Sequence, residues 1–173
     1  MYQDYKDLLS AFHAHGVKYL VVGGFAVIYH SQPRFTKDMD LFIKSDPENA
    51  KATYEALAEF GAPLQGISAE DFTDRNSFFR FGRDPKGFDI LPAIPGIDFD
   101  AAWERRVETV IDVATGLKAN FISADDLIAA KLASGRPQDL ADADAIRKAV
   151  QSQGPQPAKK KPPEPPEHSG PNQ

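Results

Sequence analysis

Three carboxylates stand in apolar surroundings: Asp38 and Asp40 within Lys37-Asp38-Met39-Asp40-Leu41-Phe42-Ile43, and Asp89 between Phe88 and Ile90. In a strand successive side chains alternate faces, so Asp38 and Asp40 project together while Met39 and Leu41 project the other way. Carboxylates gathered in apolar sequence repel one another and lose hydration. They are kept only if protonated, paired with bases or bound to a cation. Hard oxygen donors in a set of two or three suit Mg2+ or Mn2+, which retain waters and share their remaining positions with substrate phosphates. Upstream, Val21-Val22-Gly23-Gly24 ends a short apolar run in two glycines, with thirteen residues between Gly24 and Asp38. Glycine there lets backbone approach a ligand closely, and a helix starting at that point aims free N–H groups at an anion. A triphosphate cradle beside metal-binding acids makes a phosphoryl- or nucleotidyl-transfer site. The bland account of the Asp-x-Asp pair, a solvated edge strand, is weakened by the glycines and the third acid.

A second group lies towards the C-terminus. Lys131 falls four residues after Leu127 and three after Ile128, on their apolar face, and Asp139 and Asp142 share a stripe with Ile146. Arg136 stands in the joint Gly135-Arg136-Pro137 between the two helices. Charges on an inward stripe need partners, and an internal salt-bridge network that orders the last two helices is the plain reading of them. Arg34, Thr36 and Lys37 are candidates for phosphates or an RNA acceptor, against the plain alternative of solvated surface residues. The four histidines have no ligand spacing, there is no cysteine, and no serine sits in a nucleophile elbow. Gly23-Gly24 matches neither a Walker loop nor a dinucleotide fingerprint.

The elements that must position these groups follow from periodicity. Tyr2 to His15 is predicted as an amphipathic helix closed by Gly16, Val17 to Val22 as a buried strand, Gly23-Gly24 as a tight turn and Phe25 to Ser31 as a helix. Lys37 to Ile43 is the strand of paired aspartates, and a helix runs from Pro47 to Gly61. Residues 62–76 are irregular by pattern. Ser77 to Phe81 and Phe88 to Leu91 form a hairpin around residues 82–87. A short helix from Asp100 to Val107 and a hairpin of Val110 to Ala114 with Leu117 to Ile122 follow, then helices from Ala124 to Ser134 and Gln138 to Gln151.

The chain has 173 residues and 14 prolines, seven of them beyond Gly154. Residues 1–151 are expected to form one folded domain and residues 152–173 a disordered tail rich in proline and lysine, too poor in apolar groups to offset its ordering entropy. The net charge of −5 argues against a broadly basic nucleic-acid-coating protein. The lack of cysteine, of a signal-like N-terminus and of a long apolar run makes the cytoplasm the expected compartment, with no membrane partner.

The string Gly23-Gly24-Phe25-Ala26-Val27 with Arg34-Phe35-Thr36-Lys37-Asp38-Met39-Asp40, and a lone Asp89 in a later strand, resembles the DNA polymerase beta-like nucleotidyltransferase superfamily. Within it the sequence is similar to the bacterial branch that includes AbiEii-type (type IV) toxins and lincosamide nucleotidyltransferase-like proteins. The segment Lys131 to Asp142 is similar to the Lys, Arg-x-x-Asp-x-x-Asp signature of that branch. The resemblance implies an α/β (α+β) minimal nucleotidyltransferase fold, a mixed sheet flanked by helices. It implies two divalent ions, Mg2+ or Mn2+, on Asp38, Asp40 and Asp89, with Asp89 also placed as base on the acceptor hydroxyl. Gly23, Gly24, Arg34, Thr36, Lys37, Lys131, Arg136, Asp139 and Asp142 are the implied nucleotide-binding residues. The activity implied is transfer of a nucleoside monophosphate from an NTP such as ATP to RNA, protein or a small hydroxyl compound, in a toxin-antitoxin setting or with a homodimer partner completing the site. A catalytically silent module or antitoxin acting through a partner protein is the competing expectation.

Overall fold

The computed structural model describes residues 1–154. The tail reading, from Pro155 onward, lies outside the described residues. Thirteen elements follow one another: α1 (Gln3–Ala14), β1 (Tyr19–Val22), α2 (Gly23–His30), β2 (Met39–Ile43), α3 (Pro47–Phe60), the 3-10 turn η1 (Ala69–Thr73), β3 (Phe79–Phe81), β4 (Phe88–Leu91), α4 (Phe99–Glu104), β5 (Val107–Asp112), β6 (Leu117–Phe121), α5 (Ala124–Ser134) and α6 (Pro137–Gln153).

Most boundaries match the periodicity, and the differences have local causes. Gly23 and Gly24 are the first residues of α2 and not a separate turn, because Gly23 at φ +62° reverses the chain in one step. The aspartate strand starts at Met39, so Asp38 sits just before it. Residues 62–76 are not wholly irregular: Ser68 and Asp71 close a capping box over η1. The helix around Trp103 ends at Glu104, and Val107, expected to be helical, instead opens β5 and pairs with Phe121. That strand ends at Asp112, short of Ala114, after an irregularity between Val110 and Asp112. The last helix runs to Gln153, two residues past the expected boundary.

The six strands form one mixed sheet in the order β3-β4-β2-β1-β6-β5. β1 is antiparallel to β2, β2 parallel to β4, and β3 antiparallel to β4. Alternation puts Met39, Leu41, Phe88, Tyr19 and Val21 on one face. Phe60 of α3 packs edge-on against Phe88, and Phe12 of α1 against Tyr19, so α1 and α3 cover that face. Tyr5, Leu8, Leu9, Phe12, Tyr19, Leu41 and Leu57 are buried in this layer. The opposite face carries Asp40, Phe42, Asp89 and Leu91. Phe99 of α4 packs on Phe42 at its lower end, and α5 covers part of the rest. Helices therefore flank a mixed sheet on both sides, as the sequence leads one to expect.

Candidate active site

Register sets the centre. Arg80 lies opposite Asp89, Asp89 opposite Asp40, and Asp40 opposite Val22, so four side chains form one row across β3, β4, β2 and β1 on the same face. Asp38 enters from the segment just before β2. At the end of the row α2 begins. Gly23 presses so closely on Asp40 that a β-carbon would overlap its carboxylate, and one on Gly24 would overlap Thr36. The start of α2 has no side-chain cap and no acid in its first turn, so its N–H groups remain available to an anion.

The acids differ in their surroundings. Asp89 is buried and receives a fork from Arg80, Nε to Oδ1 and Nη2 to Oδ2, both 2.9 Å. Among the described residues, Asp38 and Asp40 have no side-chain hydrogen bond or salt bridge. Asp40 is pushed up to about 6, first by burial and then by the charge of Asp89, with Lys131 pulling the other way and Asp38 adding to the push. Among the described residues no three His, Asp or Glu side chains are gathered closely enough to hold a metal ion. The reason is visible in the row: Asp89 is turned onto Arg80 and not shared with Asp40. Asp38 and Asp40, unpartnered among the described residues, are hard oxygen donors of the kind that could hold a divalent cation, whereas Asp89 is engaged by Arg80.

The C-terminal charges come together as the sequence suggested. Lys131 Nζ donates to Asp139 at 3.2 Å and lies 3.0 Å from Asp142. Arg136 forks onto Asp139 at 2.6 and 3.2 Å, and Gln138 donates to Asp142 at 2.9 Å. Arg34 reaches across from the loop after α2 to Asp142 at 3.2 Å, while its buried Nε has no partner among the described residues. Burial pushes Asp139 up, but the hydrogen bonds from Arg136 and Lys131 win and hold it below the usual carboxylate range. The internal network is therefore real. It ties α5, α6 and the 34–37 loop together around a cleft of about 520 Å3 that holds every residue singled out in the sequence.

Within that cleft Lys37 is the outlier, since its ammonium pairs with Asp84 at 3.2 Å in an exposed contact. Sequence reading missed Arg80 and Gln138. Arg80 was findable: a hairpin closing symmetrically around residues 82–87 pairs Phe81 with Phe88 and hence Arg80 with Asp89. Gln138 carries no signal beyond its place one turn before Asp142.

Comparison with known proteins bears on the fold and the family. No curated protein matches the chain. Among solved structures it is similar to the lincosamide antibiotic adenylyltransferase LnuA in its lincomycin-bound form, with a TM-score of 0.53 and 15 % identity over 86 % of this chain and 98 % of that one. At such identity the likeness shows the fold. The family model described as "Nucleotidyltransferase of unknown function (DUF6036)" matches residues 3–151, and the chain belongs to that nucleotidyltransferase family.

Proposed function

We propose that the protein transfers a nucleoside monophosphate from an NTP to an acceptor hydroxyl, with Mg2+ or Mn2+ held by Asp38, Asp40 and Asp89. The observation that supports it best is the row in which Asp40 stands beside Asp89 and against the first glycine of an uncapped helix. Two such ions, when bound, supply neutralisation of the phosphate charge and polarise the acceptor oxygen. The chain's own part is positioning. The α2 N-terminus with Gly23, Gly24 and Thr36 receives phosphate oxygens, and Lys131, Arg136 and Arg34 offer further donors from the wall facing it. The acceptor oxygen bonds to the α-phosphorus as the bond to the β-phosphate oxygen breaks. Pyrophosphate leaves, and in this reading Asp89 takes the hydroxyl proton. Asp89 is available for that only when Arg80 turns away, and Lys131, Arg136 and Arg34 reach phosphate only by sharing or leaving their contacts with Asp139 and Asp142.

The acceptor class is RNA, a protein or a small hydroxyl compound, within a toxin-antitoxin pair or alone. The test is labelled NTP with Mg2+ and total RNA or lysate, comparing wild type with the double variant Asp38→Asn, Asp40→Asn. Label in the wild type alone supports the reading, and equal labelling removes it. A second reading is favoured by the Arg80 fork, which closes Asp89 off: a silent nucleotidyltransferase-fold module working through a partner protein. It expects no thermal shift with metal or NTP.

A further inference from the structure

Beyond the row of Asp89 and Asp40 the cleft continues into a second cavity of about 190 Å3 with aliphatic walls on the side away from the polar cleft. Val22 and Leu91 supply the sheet side, Leu127 and Ala130 the α5 side, and Ile94 and Pro95 the loop after β4. That loop is laid directly on α5. Gly96 takes φ +72°, and a β-carbon there would come within 2.9 Å of that of Ala133. Ala130, 8 % exposed, is a small residue in this wall.

The two cavities share Gly23, Asp40, Lys131, Arg136 and Asp139. Asp38, Asp89 and Arg80 line the polar cleft alone. The apolar chamber thus opens from the side assigned to the phosphates and away from Asp89, where the acceptor oxygen is deprotonated. Its volume is below the roughly 300–1,000 Å3 of pockets that take drug-sized ligands, so it admits a single ring system. We propose that it seats the base of the NTP, an assignment that rests on the nucleotidyltransferase reading. Aliphatic walls hold a flat ring by burial and dispersion without reading its edge. Apart from Ser134, the polar lining side chains Asp40, Lys131, Arg136 and Asp139 are those shared with the polar cleft, so discrimination between bases depends on shape more than on hydrogen bonding.

The test compares binding of each of the four NTPs with binding of inorganic tripolyphosphate, by calorimetry with Mg2+ present. Ala130→Phe fills the chamber from α5 and Ile94→Trp fills it from the loop, so one remains readable where the other fails to fold. The expected result is a tenfold or greater loss of NTP affinity with tripolyphosphate binding unchanged. The assignment is overturned if NTP binding is unaffected while transfer is lost, since the chamber then belongs to the acceptor. It is equally overturned if both ligands weaken together, or if wild type binds NTP no better than tripolyphosphate. Wild type binding neither overturns the nucleotidyltransferase reading itself.

Discussion

Arg80 and Asp89 face each other on neighbouring antiparallel strands and meet through two hydrogen bonds of 2.9 Å. The guanidinium is largely exposed, with 64 % of its side chain accessible, whereas the carboxylate is at 9 %. The pair is thus anchored on one side and loose on the other. On the proposed function, a cation approaching Asp40 would compete with Arg80 for Asp89, and the exposed guanidinium could leave without disturbing the core.

That competition gives the first prediction. Arg80→Gln leaves a buried carboxylate beside Asp40 with its ion-pair partner gone and should lower the melting temperature in metal-free buffer. Millimolar Mg2+ or Mn2+ should restore most of the loss, because a ligand that binds only the folded state stabilises it. Thermal melts of both proteins with and without metal measure this. An identical metal response in wild type and variant would show that Arg80 does not guard the site.

The second prediction concerns the helix corner. Lys131, with 12 % of its side chain exposed, stands between Asp139 and Asp142, which are at 2 % and 3 %. Lys131→Met keeps the stem and removes the charge, leaving two buried carboxylates with fewer partners. The loss should be about 3 kcal/mol, at the low end for a broken buried pair because Arg136 and Arg34 remain. Adding Asp139→Asn and Asp142→Asn should recover stability in urea melts. Failure of that recovery would mean that the corner is held by packing and not by its charges.

A third prediction follows from His30, whose Nε2–H donates to the Ile122 carbonyl at 2.7 Å. Burial pulls its pKa below the ordinary value, and the hydrogen bond to Ile122 only partly offsets this. The unfolded chain therefore takes up a proton near pH 6.5 that the folded chain resists. The stabilising contribution is complete above about pH 6.5 and is lost as pH falls through the folded value. Melting temperature should drop between pH 7 and 5 more in wild type than in His30→Gln, which keeps a donor for Ile122. Parallel pH profiles would contradict the assignment.

The sequence by itself determined the local order and the chemistry of the parts. Period-2 and period-3.6 patterns placed β4 and α5 at their observed bounds and most other elements within a few residues, because burial of one face is a local constraint. Residue types fixed hard carboxylates, a double glycine and an inward lysine, and so named the class of chemistry before any contact was known. Where the signals were weak, around Val107 and η1, a strand and a 3-10 turn formed from pairing and capping partners that periodicity does not encode. What only the tertiary structure decided is who stands beside whom. The parallel register of β2 and β4 made Asp40 and Asp89 neighbours, and the hairpin register gave Asp89 to Arg80. The crossing of α5 and α6 set Lys131 between two acids, and the loop held by Gly96 on α5 helped enclose the apolar chamber beside the cleft. Strand order and register depend on contacts between segments far apart in the chain, and no spacing within one segment records them.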